Sequence, residues 1–244
     1  MIATSEPIEP ENLSAAIRRE LREHADAQIL DTNRRFFKEE IKAYGMRSAT
    51  VARIAKKFLP ELRHKDKVAV FRLAEQLFSS GYMEEFMLAC EFVYSRHKEF
   101  AAADFPRLEQ WLSRYVSNWA ECDVLCNHSV GACVEQFPEL TAELRRWTAS
   151  SNRWMRRAAA VTLIIPAKHG DFLDEALEIA DLLLEDHEDL VQKGYGWLLK
   201  EASRRHQAVI FRYVMERKAR MPRTALRYAI ELMPPELRAE AMKK

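Results

Sequence analysis

An all-α fold is predicted for this chain by three features of its sequence. Only 6 glycines and 9 prolines occur among its 244 residues, so residues that break helices are rare. Runs of β-branched residues at the two-residue period of a strand are scarce. Apolar residues recur instead at the spacing that gives a helix one buried face. Helix is therefore the expected state of the long segments.

The periodic segments divide the chain into successive helices. They cover residues 13–30, 36–41, 51–62, 68–77, 83–93, 173–184 and 191–199. Turn-forming glycines and prolines separate them, at Gly45, Pro60, Gly81, Pro106, Pro138, Pro166, Gly170, Pro222, Pro234 and Pro235. Ser48 and Asp171 are expected to cap helices, because their side chains accept hydrogen bonds from the unpaired N–H groups of a first turn.

Short loops between helices of this length are typical of antiparallel helical hairpins. Helix pairs recur about every 35 to 40 residues, the broad spacing of HEAT units, although the sequence repeat is not crisp. We therefore predict HEAT-like helical-hairpin repeats that form a curved α-solenoid, with a compact helical bundle as the alternative. Since no Pro-, Gly- or Ser-rich linker divides the chain, residues 11–244 are expected to form one domain after a flexible N-terminal segment, residues 1–10.

Composition excludes a membrane protein and argues against secretion. Hydrophobic residues make up 48% and charged residues 31% of the chain, and no apolar run approaches the length of about 18 residues that a membrane span needs. Residues 1–10 are polar and acidic and lack the basic and apolar regions of a secretory signal. We expect a cytoplasmic protein.

Four cysteines, Cys90, Cys122, Cys126 and Cys133, are too few and too clustered for the disulfide framework of a secreted domain. Three of them lie near His128, which suggests zinc. Structural zinc sites usually combine CxxC pairs with a second, distant pair, so small buried thiols are the favoured interpretation. No metal is expected.

The net charge of +1 hides an uneven distribution of charged residues. Residues 145–157 contain basic residues and no acid, and residues 171–189 contain nine acids and neither Lys nor Arg. Basic residues return in 193–227, where only Glu201 and Glu216 oppose them. If the helices stack, these blocks sort onto opposite surfaces, one of them basic and concave, as a phosphate backbone requires. Solvated helix faces are the alternative, and the charge pattern by itself favours them.

Three tryptophan-containing segments are the candidates for chemistry, because the common phosphate-loop, dinucleotide, serine-elbow and zinc-protease motifs are absent. In WAECD, Trp119 and Asp123 lie four residues apart, so an indole and a carboxylate share one helix face. In KGYGWLLK, two glycines precede Trp197. Each glycine costs a helix about 1 kcal/mol, so the pair suggests close helix packing or close approach of a ligand. Taken singly, each tryptophan is better explained as a core residue than as a site residue.

The ordered segments SNWAECDVLC, NRWMRRAAAV and QKGYGWLLKEASRR resemble the hallmark sequence of AlkD-like DNA alkylation-repair proteins, and RRFFKEEIKAYGMR resembles their N-terminal helices. The resemblance covers residues 14–232. It implies a DNA glycosylase of base excision repair, which hydrolyses the N-glycosidic bond of cationic N3- or N7-alkylated purines, such as 3-methyladenine and 7-methylguanine, in double-stranded DNA.

The resemblance also implies a site. Trp119, Asp123 and Trp197 match the active-site residues of the family, and Arg157 matches its phosphate-contacting arginine. Lys200 stands where the family has a second arginine, which keeps the charge but loses the guanidinium fork. Further candidates for phosphate contacts are Arg153, Arg156, Lys193 and Arg204.

A mechanism follows from the charge of the alkylated base, which leaves without protonation. An ionised carboxylate beside C1′ then stabilises the oxocarbenium character of the sugar, and Asp123 fits this role. Whether Asp123 also activates the attacking water is left open. The resemblance implies indoles packed against the sugar, a lesion that stays stacked, no cofactor, and action as a monomer. An interior ion pair that neutralises Asp123, or indoles that face away from each other into separate cores, would leave this mechanism without a site.

Two other functions compete with the glycosylase. One is a non-enzymatic HEAT-like module that binds damaged or branched DNA. The other is a protein-interaction scaffold, in which the tryptophans pack in the core and the arginines are solvated.

Overall fold

A computed structural model describes residues 10–243 of the chain. All regular secondary structure in this part is helical and none of it is a strand, which confirms the predicted all-α class. None of its helices is both long enough and apolar enough to cross a lipid bilayer. The predicted flexible segment, residues 1–10, lies outside the described residues except for Pro10, at which the first helix begins.

The helices form two compact units, residues 10–101 with 114–121 and residues 102–113 with 122–243. The single domain expected over residues 11–244 stays a prediction.

The first unit is built on helices that pack through apolar faces. They are α1 (Pro10–Glu23), α2 (Ala27–Arg34), α3 (Ser48–Leu62), α4 (Lys67–Phe78) and α5 (Met83–Tyr94). Residues 79–82 join α4 to α5, and the two helices pack against each other as a hairpin. The predicted helix over 13–30 is divided in two, because Asp26 accepts hydrogen bonds from Gln28 N and Ile29 N and so starts α2.

The helix predicted over residues 36–41 is wrong, because the backbone there is irregular. The turn that follows this segment is fixed by hydrogen bonds to a buried glutamate. The Glu84 carboxylate, 1% exposed, accepts hydrogen bonds from Tyr44 N and Gly45 N, each 2.9 Å long. Gly45 has φ +87°, and a Cβ there would lie 2.2 Å from the Asp26 carbonyl oxygen, so the turn requires glycine. The spacing of apolar residues within a segment cannot predict a contact with a residue this far away in the sequence.

The second unit contains a series of shorter helices and one long helical element, which is kinked at His206 (φ −127°, ψ 42°). After α6 (Phe105–Tyr115) and α7 (Trp119–Val124), both of which contribute residues to each unit, it contains α8 (Gly131–Gln136), α9 (Thr141–Trp147), α10 (Arg153–Val161), α11 (Ile164–His169), α12 (Leu173–Leu182), α13 (Asp189–Arg217), α14 (Arg223–Ala229) and α15 (Pro235–Met242). A π-helical stretch, Leu125–Val130, makes α7 and α8 continuous. Helix α13 packs against α10, α11, α12 and α14, and is therefore the central element of this unit.

The two N-caps predicted from sequence are wrong. Ser48 is the first residue of α3, whose cap position is occupied by Arg47 without a side-chain hydrogen bond. Helix α12 begins after Phe172, which has φ 54°, and not after Asp171.

Candidate active site

Asp123 and Arg157 meet in the second unit as a buried ion pair. Arg157 Nε donates to Asp123 Oδ1 at 2.8 Å, and Nη2 donates to Oδ2 at 2.7 Å, so the guanidinium holds the carboxylate in a two-bond fork. The side chains of Arg157 and Asp123 are 6% and 13% exposed, respectively. The two residues come from α10 and α7, and their pairing was not predicted from sequence.

Opposing forces act on the ionisation of Asp123. Burial raises the pKa of the carboxyl group above its ordinary value, and the hydrogen bonds and charge of Arg157 oppose that rise. The carboxylate raises the pKa of Arg157 against the effect of burial, so the arginine stays charged. Because a charged guanidinium donates to both oxygens, the fork favours the ionised form of Asp123 over the protonated form.

The first turns of α13 contact Arg157 through a main-chain carbonyl group and a glycine. The Leu190 carbonyl oxygen accepts a hydrogen bond from Arg157 Nη1 at 2.5 Å. A Cβ at Gly194 would lie 3.4 Å from Arg157 Cγ and 3.6 Å from Nη1, so the arginine packs directly on the bare helix surface. Trp197 lies one turn further along the same helix. The Leu190 contact has no sequence signal, because it is made by a main-chain carbonyl group.

The second glycine has a different neighbour, which confirms that close helix packing explains this position. A Cβ at Gly196 would lie 2.7 Å from Tyr228 Cβ and 2.9 Å from the Ala225 carbonyl oxygen, both in α14. Since a backbone group and a Cβ cannot move aside cheaply, α13 and α14 approach each other this closely only with glycine at this position.

Replacing each of the two glycines by alanine is expected to change the free energy of unfolding differently. We expect Gly196→Ala to lower the free energy of unfolding by about 1 to 3 kcal/mol, because the added methyl overpacks α14. Gly194→Ala is the matched control, and its methyl makes only ordinary contacts. It is expected to be neutral, or stabilising by up to about 1 kcal/mol through helix propensity. Urea unfolding of both variants measures the difference, and equal values would contradict it.

Of the five tryptophans, three are buried and two are partly exposed. Trp111, Trp147 and Trp154 are 0%, 1% and 7% exposed, as expected of core residues. The partly exposed pair is Trp119 and Trp197, the two indoles assigned to the site from sequence. Exposure therefore separates the candidate site tryptophans from the core tryptophans.

Trp119 belongs to the first unit, where it stacks on Phe37 with ring centroids 5.4 Å apart and planes 18° from parallel. A capping box fixes the start of its helix. Asn118 Oδ1 accepts from Glu121 N at 3.0 Å, and Glu121 Oε2 accepts from Ser117 N at 2.8 Å. The spacing Asn-x-x-Glu is the sequence signal for this arrangement.

The clustered cysteines are buried thiols, as predicted. Cys122, Cys126 and Cys133 are each 0% exposed, and none forms a disulfide. Burial raises the pKa of Cys122, and a hydrogen bond with Cys126 acts in the same direction. Among the described residues, no group of three or more His, Cys, Asp or Glu side chains is arranged to hold a metal ion.

The predicted separation of basic and acidic blocks onto opposite surfaces is wrong for the residues that were expected to contact phosphate. Every one of them pairs with a carboxylate, and several of those acids come from the acidic block. The pairs are Arg153–Glu188, Arg156–Asp186, Arg157–Asp123, Lys193–Asp189, Lys200–Glu231 and Arg204–Glu201. The pairs of Arg153, Arg156, Arg157 and Lys200 join residues that are far apart in sequence and that packing brings together, whereas Lys193 and Arg204 pair with acids one turn away in α13.

Exposure divides these basic residues into two groups. The side chains of Arg156 and Arg157 are 11% and 6% exposed, so they serve mainly the interior. Those of Arg153, Lys193 and Arg204 are 36%, 35% and 43% exposed. Exposed ion pairs contribute only about 0 to 1 kcal/mol, so these three can exchange their carboxylates for another anion at small cost.

Comparison with known proteins supports this fold. No curated protein matches the sequence. A solved structure described as a predicted DNA alkylation repair enzyme from Enterococcus faecalis superposes with a TM-score of 0.71. The match covers 95% of this chain and 97% of that chain at 14% sequence identity, and at this identity it establishes a shared fold.

The family model described as DNA alkylation repair enzyme matches residues 17–233. This range includes all of the candidate site residues and nearly all of the range over which the motifs resemble AlkD-like proteins. The chain therefore belongs to the DNA alkylation repair enzyme family.

Proposed function

We propose that the chain is a DNA glycosylase that hydrolyses the N-glycosidic bond of cationic N3- or N7-alkylated purines, such as 3-methyladenine and 7-methylguanine, in duplex DNA. The observation that carries the proposal is the family match over residues 17–233, a range that includes Asp123, Trp119 and Trp197. The buried Asp123–Arg157 pair is the interior ion pair that was expected to count against this mechanism, so the proposal requires that Asp123 keep enough charge within the pair. A carboxyl group buried without such a partner would favour its neutral form.

The chemistry of the leaving group makes an ionised carboxylate the appropriate catalyst. Alkylation at N3 or N7 leaves a positive charge on the purine, so the base departs without a general acid. Positive charge then develops on the deoxyribose, and a carboxylate beside C1′ stabilises it. Asp123 is proposed to fill this role and to orient the attacking water.

The ion pair with Arg157 weakens the stabilisation of the sugar cation by Asp123 but does not abolish it. Each carboxylate oxygen accepts one bond from Arg157 and keeps a second lone pair, and the side chain retains 13% exposure. The negative end of the pair can therefore still face a reacting sugar. Because Arg157 is 6% exposed and bonded to both Asp123 and Leu190, its proposed role is to position the Asp123 carboxylate and not to contact phosphate.

Trp119 and Trp197 are each proposed, from the family motif, to pack an indole against the sugar and to exclude bulk water. Their partial exposure supports this role, because a residue that contacts a ligand must be open to solvent in its absence. A desolvated indole contributes about 1 to 2 kcal/mol towards a cation over its ring face. The assignment of Trp119 rests on the family motif and on its position four residues before Asp123 in α7.

Exposed basic side chains are proposed to bind the phosphate backbone. Arg153, Lys193 and Arg204 are the strongest candidates because of their exposure, and Lys200 and Arg156 contribute less because they are more buried. Each phosphate contact adds about 0.9 to the slope of log affinity against log salt.

A second function has specific support from the same ion pair. In a DNA-binding module without catalysis, Asp123 and Arg157 would simply tie α7 to α10, as interior ion pairs do in many proteins. Such a module would bind alkylated duplex and release no base.

A base-release assay separates the two functions. Randomly methylated duplex DNA is incubated with the chain, and free 3-methyladenine and 7-methylguanine are quantified above the level that DNA alone releases. We expect multiple turnovers, at a rate that EDTA leaves unchanged, by a protein that sediments as a monomer. Binding without base release would support the non-enzymatic module.

A further inference from the structure

The last two helices of the chain enclose a groove that the proposed chemistry does not use. Its volume is about 470 Å³, and it lies between α14 and α15. Arg227 comes from α14 and Arg238 from α15, so each helix contributes one guanidinium group. The rest of the lining is apolar and consists of Ile230, Pro235, Ala239 and Met242.

The α15 wall of this groove is anchored to the rest of the second unit. Ala241 is fully buried. Lys218 donates to the Lys243 carbonyl oxygen at 3.1 Å, and Arg223 donates to that of Met242 at 3.4 Å, so both cations hold the C-terminal end of the helix. The groove is thus a built feature of the fold.

The charges of the groove are not neutralised within residues 10–243. Neither Arg227 nor Arg238, both of which are exposed, has a carboxylate partner there, and the same is true of Arg205, Arg212 and Arg223 in this unit, so what distinguishes the groove is that two such arginines line one depression. The groove also extends past the family match, which ends at residue 233, so α15 and its arginine are not among the features that define the family.

The combination of charge and apolar lining selects among anionic ligands. Guanidinium groups bind both carboxylates and phosphates through two parallel hydrogen bonds. A phosphate group has nothing to bury against the Pro235 and Met242 side chains, whereas an acidic peptide with an apolar residue satisfies both parts of the lining. The volume is within the range of about 300 to 1,000 Å³ that is typical of ligand sites.

We propose that this groove binds an acidic segment of a partner protein. One apolar side chain of the segment lies against Pro235 and Met242, and carboxylates on its two sides pair with Arg227 and Arg238. Such a contact would attach the repair protein to a partner without occupying the candidate active site.

A peptide-binding measurement tests the proposal. The probe is a fluorescein-labelled peptide, Gly-Glu-Glu-Leu-Glu-Glu-Gly, titrated with the full chain and followed by anisotropy. We expect saturable binding, weakened roughly tenfold for each arginine lost, and therefore about 100-fold in Arg227→Glu/Arg238→Glu. The matched control is Arg205→Glu/Arg212→Glu, which makes the same charge change at exposed positions of α13 and should alter the Kd by less than about twofold.

Two further reagents test the apolar part of the site. Replacing leucine by serine in the peptide should weaken binding about fivefold or more. Ala239→Glu, at an exposed position of the lining, should block the groove while both arginines remain. Circular dichroism checks that each variant is folded.

The proposal is overturned by the absence of saturable binding to the parent chain, by equal losses in the two double variants, or by equal affinity for the leucine and serine peptides. A separate titration with unmodified duplex DNA covers the competing ligand. If the parent fails to bind the peptide and Arg227→Glu/Arg238→Glu weakens duplex binding, the groove belongs to the DNA interface.

Discussion

Asp123→Asn should reduce the release of 7-methylguanine from alkylated duplex DNA by about 100- to 1,000-fold. The asparagine has nearly the same shape and keeps one acceptor oxygen for Arg157, but it lacks the negative charge that stabilises the developing sugar cation. Loss of one preorganised electrostatic group at a reacting centre typically costs about 2.7 to 4 kcal/mol of transition-state stabilisation. Single-turnover base release measures the chemical step directly.

The experiment must distinguish a slower chemical step from a less stable fold, because Asp123→Asn leaves Arg157 without its counter-ion in the interior. Duplex affinity and thermal unfolding are therefore measured in parallel, and affinity is expected to stay within about threefold of the parent. Asp181→Asn is the matched control, because this exposed carboxylate pairs with Arg217 away from the candidate site. Parent-like rates in a folded Asp123→Asn would remove Asp123 from the mechanism.

The features that could be predicted from sequence are those with a local cause. Helices α3, α4, α5 and α12 follow the apolar spacing of their own residues closely. Where a distant residue decides the structure, the local pattern fails. Residues 36–41 have an apolar pattern compatible with helix, yet the following turn is organised by Glu84, which lies more than one helix away in sequence.

The candidate site shows the same division. Side-chain identities and spacing were sufficient to nominate Trp119, Asp123, Arg157 and Trp197. The hydrogen-bond partners of these residues could not be predicted from spacing. The Asp123–Arg157 fork joins residues 34 positions apart, and the third hydrogen bond of Arg157 goes to a main-chain carbonyl group. The charge blocks failed for an electrostatic reason, since acids such as Asp186 fold back onto the arginines that they were expected to avoid.

Arg157→Ala should have a large effect on both stability and pH dependence. Removing one member of a buried ion pair typically costs about 3 to 5 kcal/mol, because the remaining charge has no partner. Asp123 can avoid part of this cost by taking up a proton. Its pKa in the folded variant then rises further, because burial acts without the opposing arginine.

The sign of the pH effect follows from that rise. An acid whose pKa is higher in the folded state than in the unfolded state stabilises the fold at low pH, and this stabilisation is lost as pH rises through the folded-state pKa. Urea unfolding should therefore show a smaller deficit of Arg157→Ala relative to the parent in mildly acidic buffer than at neutral pH. A deficit independent of pH would show that the arginine does not control the ionisation of Asp123.

Base release should show the corresponding shift, because only ionised Asp123 stabilises the sugar cation. In the parent the rate should fall on acidification with an inflection above 3.8, the ordinary pKa of an aspartic acid, and in Arg157→Ala the inflection should move to higher pH. Arg157→Lys keeps the charge without the fork and should restore the inflection partly, whereas a purely packing role for Arg157 would leave it unrestored. Each rate is corrected for spontaneous depurination of DNA alone at the same pH, so that the inflection reports the protein.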